Sequence, residues 1–329
     1  MAATIKDVAK LAGVSTATVS YVVNGTRFVS EDTCQKVKRA MAKLEYYPSA
    51  VARSLRLQRT RTVGLIIPSL SNPSYTGAAH GVEEIMQQNG YSLIIGESGD
   101  NPQRERNLIQ TFNSLLVDGL IMAPCDHRHS ELKDVLRGTY PTVFLDRRLQ
   151  GFQGDSVTLD NFTSIRDATR HLLGMGRKRI ALILGPEWYS TTRDRIEGYR
   201  KAHEEAGLTP DPTLTRYGNF ELDAGLALSE ELFRASKPDA VIAASSGMTL
   251  GAFLKAKEMG LSIPGRIAII GCDDLAWANA TKPPLTMIFQ PTSAMGKKSA
   301  ELLLKRIENA TDEFETIFLP TKMILRGST

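Results

Sequence analysis

From Thr62 onward the chain alternates short apolar runs with longer amphipathic stretches, and this alternation restricts the fold more than any other feature. The runs include Val63-Gly64-Leu65-Ile66-Ile67, Ser92-Leu93-Ile94-Ile95, Gly119-Leu120-Ile121-Met122, Val143-Phe144-Leu145, Ile180-Ala181-Leu182-Ile183-Leu184, Ala240-Val241-Ile242-Ala243 and Ile267-Ala268-Ile269-Ile270. A strand that is apolar on both faces must be covered on both faces, and helices inserted between such strands supply the cover of a parallel sheet. So many strands exceed one comfortable sheet, so the body is expected to be α/β, with two doubly wound parallel-sheet lobes.

Before Thr62 the character changes. Residues 1–61 hold eleven Lys/Arg against four Asp/Glu, a surplus of +7, whereas the total over 329 residues is +4. The remainder is therefore mildly acidic, and a basic head at one end points to a polyanion partner. The composition, 42% hydrophobic and 23% charged, is that of an ordinary soluble globular protein. Cys34, Cys125 and Cys272 are far apart and show neither disulfide nor zinc spacing. The first residues lack the apolar run of a signal peptide, and no later run is long enough to span a bilayer. A cytoplasmic protein with no membrane partner is expected.

The head reads as all-α. Thr4 and Asp7 have capping-box spacing, and Val8, Leu11 and Ala12 place apolar groups on one face of a first helix. Gly13 can stop that helix, Val14 can plug the angle and Ser15 can cap a second helix over 16–23. Two short helices across such a turn make a helix-turn-helix. With Val19 and Val23 inward, Thr16, Ala17, Thr18, Ser20 and Tyr21 are left for the side that such a helix presents to base edges. Ser30 should cap a third helix that turns Val37, Ala40, Met41 and Leu44 inward.

After Pro48, Ser49 can cap a helix of about two turns, too short to persist alone. Its Arg53 and Arg56 suit phosphates, and Leu55 suits either a packed linker or an apolar wedge in a minor groove. These residues alone favour the linker.

The segments Thr4-Ile5-Lys6-Asp7-Val8-Ala9, Gly13-Val14-Ser15-Thr16-Ala17-Thr18-Val19-Ser20 and Ala50-Val51-Ala52-Arg53-Ser54-Leu55 closely resemble the head and hinge of the LacI/GalR family of transcriptional regulators (lactose/galactose/purine repressor-like). The resemblance runs through essentially the whole chain. It implies a dimeric repressor with a helix-turn-helix domain over 1–48, a hinge helix and linker over 49–61, and an effector-binding and dimerisation domain over 62–329. It also implies a body of periplasmic-binding-protein type I fold with crossovers near Asn161, Pro291 and Pro320. The amino lobe is then about 62–161 plus 291–320, and the carboxyl lobe about 162–290. On this resemblance Leu55 is the wedge, and Thr16, Ala17, Tyr21 and Arg27 are the base readers.

Ligands of open α/β sheets bind beyond the carboxyl ends of the strands. Asp146, Arg147, Asp160 and Asp273 end apolar runs, and Arg195 lies in the helix after Ile180–Gly185. Carboxylates that accept hydroxyls and a guanidinium that donates in pairs suit a polar, hydroxyl-rich molecule. Asp146 and Asp273 can equally be helix caps. The resemblance adds Tyr75, Tyr189, Thr191 and Phe220 as ligand-facing positions. One departure is Ser245-Ser246, where many sugar-binding relatives carry Asn-Asp; a standard sugar contact is missing there, so the effector class stays open between a sugar and another polar metabolite.

No phosphate-binding loop, dinucleotide fingerprint or nucleophile elbow is present, and the five histidines show no metal spacing. The expectation is therefore no enzyme, cofactor or metal. A solute-binding protein of the same body fold would predict an export signal and no basic head. The expected partners are double-stranded operator DNA, a small-molecule effector and a second copy of the chain. The chain shows no leucine-heptad tail, so a homodimer is expected rather than a tail-linked tetramer.

Overall fold

A computed structural model describes residues 3–25, 27–46, 59–125, 136, 140–149, 152–309 and 313–329. The chain divides into two compact units, Met1–Arg61 and Thr62–Thr329.

In the first unit, helices α1 (Ile5–Ala12), α2 (Thr16–Asn24) and α3 (Glu31–Lys43) enclose a small core. The Asp7 carboxylate accepts from the Thr4 amide at 2.9 Å and from its hydroxyl at 2.7 Å. Gly13 takes the left-handed backbone (φ 66°) that ends α1, and the Val14 amide then donates to the Ala9 carbonyl at 3.0 Å. Ser15 caps α2 by accepting from the Thr18 amide at 3.0 Å. Val8, Val19 and Val37 are fully buried, with Ala9 and Ala40 beside them. Two expectations are corrected. Leu11 is 45% exposed, because the buried stripe of α1 runs through Ile5, Val8, Ala9 and Ala12 at helical spacing and leaves Leu11 off its edge. Ser30 stands at the start of α3, but its hydroxyl pairs with that of Thr33 at 2.9 Å rather than with a backbone amide.

The second unit begins with β1 (Thr62–Ile67), α4 (Pro73–Gln88), β2 (Ser92–Glu97), α5 (Pro102–Ser114), β3 (Gly119–Met122), β4 (Thr142–Leu145) and β5 (Asp155–Leu159). The chain then crosses into α6 (Asn161–Gly174), β6 (Ile180–Leu184), α7 (Ser190–Glu205), β7 (Thr215–Tyr217), α8 (Leu222–Glu231) and β8 (Ala240–Ala243). This lobe continues with α9 (Ser246–Glu258), β9 (Ala268–Cys272), α10 (Ala276–Ala280) and β10 (Thr286–Phe289). The chain returns for α11 (Thr292–Glu308), which packs along α4, and β11 (Thr316–Leu319), and it crosses once more for β12 (Lys322–Ile324).

The two sheets are ordered β11-β5-β4-β3-β1-β2 and β12-β10-β9-β8-β6-β7, and only β12 is antiparallel to its neighbour. Each therefore reverses strand order beside its first strand, which opens a crevice at the carboxyl ends of the strands. Each central sheet is sealed on both faces by apolar clusters. The exception is β2: it lies at an edge, where Ile95 is 41% exposed in spite of the apolar run that carries it.

Candidate functional site

The head presents its candidate residues on one helix. Thr16 and Ala17 are exposed at the start of α2, and Thr18, Ser20 and Tyr21 are half-buried behind them. The hydroxyl of Thr18 is already paired with that of Ser15 at 2.9 Å, which gives it a capping role. Arg27 is exposed, and its guanidinium lies 5.2 Å from the centre of the Tyr21 ring, so the two side chains form one surface. Phe28 beside it is 97% exposed, a feature that no periodicity in the sequence signals. Arg53, Leu55 and Arg56 lie outside the described residues.

In the body, the ends of the two sheets face a shared cleft. The first turns of α4, capped by Asn72, and of α7 carry Tyr75 and Thr191 into it. Asp146 follows β4, Asp273 follows β9, and the strands hold equivalent places in the two sheets. Both aspartates adopt a left-handed backbone (φ 64° and 65°), a turn that Asp tolerates better than bulkier residues do.

Tyr75, Asp146, Thr191, Arg195, Phe220, Ser245 and Asp273 line one cavity. The Tyr75 hydroxyl donates to Asp146 Oδ2 at 3.0 Å. Arg195 is buried, with Nε donating to Asn161 Oδ1 at 2.9 Å and Nη1 to the Ala244 carbonyl at 3.1 Å, which leaves Nη2 for the cavity. Asp273 accepts the Ser74 hydroxyl on Oδ1 at 2.5 Å and the Ser246 amide on Oδ2 at 3.0 Å. Neither aspartate caps the helix that follows it, although Asp273 does satisfy the first amide of α9. Burial pushes the Asp146 carboxyl above its ordinary range, and the nearby Arg147 and Arg195 oppose that rise. Phe220 also takes a left-handed backbone (φ 68°), and its ring fills the space over Gly185, where an added Cβ would stand 1.8 Å from it.

Three expected residues stand apart from the cavity. Arg147 is drawn into a paired contact with Asp100 (2.5 and 3.3 Å), because a buried guanidinium needs a carboxylate partner. Tyr189 lies beneath that guanidinium at 3.7 Å and stacks on Phe220. Asp160 caps α6 by accepting from the Thr163 amide at 2.9 Å. The Ser245 hydroxyl borders the cavity but is spent twice over, accepting from the Met248 amide at 3.1 Å and donating to the Phe220 carbonyl at 2.7 Å.

The lining also includes Asn72, Ser74, Gln290, Thr292 and Met295, which the sequence reading did not single out. Asn72-Pro73 is a helix-start pattern just beyond β1, so strand-end logic applied there finds Ser74. Gln290 follows β10, whose Met287-Ile288-Phe289 stretch is not among the apolar runs named above.

The cavity measures about 40 Å³, against roughly 300–1,000 Å³ for small-molecule sites in general. The lobes close over it through the Ser74–Asp273 bond, through Arg147 on Tyr189, and through Arg148. The Arg148 amide donates to Ser190 Oγ at 2.9 Å, and its Nη2 reaches both oxygens of Asp194 at 2.8 and 2.6 Å. A ligand larger than a few waters enters only when these contacts part.

Comparisons with known proteins agree with this two-part architecture. Residues 4–49 match the family described as bacterial regulatory proteins, lacI family, and residues 169–329 match a periplasmic binding protein-like domain. The ribose operon repressor of Haemophilus influenzae is 36% identical over 99% of this chain and 98% of its own length. Among solved structures, the lac repressor dimer bound to operator and the anti-inducer ONPF superposes with a TM-score of 0.90 at 27% identity, covering 100% of this chain and 99% of that one. The CelR–cellobiose complex superposes with a TM-score of 0.75 at 35% identity, covering 99% and 100%. With its helix-turn-helix head, its twin six-stranded lobes and this likeness along nearly its whole length, the chain belongs to the lacI family of bacterial regulatory proteins.

Proposed function

We propose that the chain is a cytoplasmic, sequence-specific transcriptional repressor that binds a near-palindromic operator as a dimer, releasing or tightening its grip when a small polyhydroxylated effector enters the cleft. It acts by binding and not by catalysis. A two-fold protein reads two-fold DNA, so two copies of α2 would address two half-sites, with Thr16, Ala17, Tyr21 and Arg27 against base edges. Residues 49–61 would serve as the hinge, with Leu55 as the wedge and Arg53 and Arg56 on phosphates.

The observation that carries the effector reading is the convergence of Asp146, Arg195 and Asp273 on one cavity between the lobes. Carboxylate acceptors facing a guanidinium donor match a molecule that offers several hydroxyls. The names of two relatives, a ribose operon repressor and CelR in complex with cellobiose, favour a sugar. Coupling needs only that the effector prefer one lobe arrangement, since its differential affinity then biases the equilibrium.

Selection of bound fragments from random DNA, with and without a panel of pentoses, hexoses and disaccharides, tests the reading. A palindromic consensus whose recovery changes with one sugar is the expected result. Recovery without any sequence preference would refute it.

A further inference from the structure

The amino lobe carries a second concavity, apart from the cleft. On the sheet face opposite α4 and α11, Phe144, Ser156 and Thr316 stand side by side across β4, β5 and β11. They floor a groove of about 630 Å³, walled by Phe152 and Phe314 and bordered by Arg148. That volume falls within the roughly 300–1,000 Å³ of small-molecule sites. Phe144 and Phe152 meet edge to face, with ring centres 5.4 Å apart. Gly154 permits this, because a Cβ there would stand 2.8 Å from the Phe144 ring. Phe314 is 56% exposed, so one wall is an apolar ring facing open space.

Arg148 supplies the polar end. Its Nη2 is held by Asp194, while the side chain as a whole stays about a third exposed where it borders the groove. A guanidinium is shaped for a carboxylate and is weakly hydrated.

We propose that this groove binds a small aromatic monocarboxylate, its ring among Phe144, Phe152 and Phe314 and its carboxylate on the exposed part of the Arg148 guanidinium. Glu313 also lines the groove and disfavours a second negative charge, which argues against dicarboxylates and phosphates. Arg148 joins this groove to the lobe boundary. A ligand there draws on the guanidinium that Asp194 holds, so occupancy of the groove favours separated lobes. By reciprocity, freeing Arg148 from Asp194 strengthens ligand binding.

Calorimetric titration of the full chain with benzoate, 3-phenylpropionate and indole-3-acetate, each beside its uncharged amide, tests the assignment. At least one acid should bind saturably, one per chain, with its amide about tenfold weaker or more. Arg148→Gln and Thr316→Trp should each weaken that acid about tenfold, the first by removing the charge and the second by filling the groove. Asp194→Asn should strengthen it about threefold. The heat of unfolding of each variant shows that it is folded. Lack of saturable binding by all three acids up to about 10 mM, the limit of a meaningful site, would overturn the proposal. Equal binding of acid and amide, or binding that survives both Arg148→Gln and Thr316→Trp, would do so too. The outcome is independent of the operator and effector readings.

Discussion

The head and the cleft hold their candidate residues in opposite conditions. Thr16, Ala17 and Arg27 stand exposed, whereas Asp146, Arg195 and Asp273 are bonded to neighbours in a cavity of about 40 Å³. The head can meet a rigid partner without reorganising itself. The cleft has to give up bonds before it can take a ligand, and so its binding energy is tied to a movement. A surface that recognises needs exposure, while a site that regulates needs a change of state to act upon.

Arg195→Ala should have the largest effect. It strands the Asn161 and Ala244 acceptors and removes the cation that opposes the Asp146 and Asp273 charges. Effector concentrations for half-response should rise about a hundredfold or more, with operator affinity in the absence of effector unchanged, as read by fluorescence anisotropy. Tyr21→Ala should do the converse: operator affinity falls about tenfold to a hundredfold, and the ratio of affinities with and without effector stays the same. If either variant shifts both quantities, the two regions are not separable.

Gly185→Ala probes the cleft wall. The added methyl cannot coexist with the Phe220 ring, so the ring moves into the cavity and effector affinity falls about tenfold, with no change in DNA binding.

The smallest effect concerns Asp146. Its folded-state carboxyl is raised above the ordinary value of 3.8 by burial, so the folded protein favours the protonated form. That contribution is present at pH below the ordinary carboxylate range and is lost as pH rises toward the raised value. Asp146→Asn should therefore stabilise the body at neutral pH, with the gain vanishing below about pH 4, in thermal unfolding followed across pH.

Much of this molecule is written locally. Gly13, Ser15 and the valines of α2 fix the helix-turn-helix through short-range caps and spacing, and fully apolar runs such as Ile180–Leu184 mark central strands. What escaped notice depends on the distant partner. The run in β2 looks like any buried strand until its edge position leaves Ile95 in solvent. The strands β7, β11 and β12 are short or mixed, because strands at a sheet edge need less apolar content. Strand-end logic found Asp146 and Asp273, but only the folded chain distinguishes them from Arg147, which Asp100 claims from a separate loop. Asp160 differs again, a strand-end carboxylate with one oxygen used by the helix it begins.

The central claim is that parting of the lobes governs the grip of the head on DNA. Spin labels at the exposed positions Leu116 and Leu208, one on each lobe, report the interlobe distance by pulsed dipolar spectroscopy. That distance, measured across a titration with the sugar that selection identifies, should follow the same dose dependence as operator affinity in the same sample. Operator affinity that responds fully to the sugar while the distance distribution stays fixed would contradict the account.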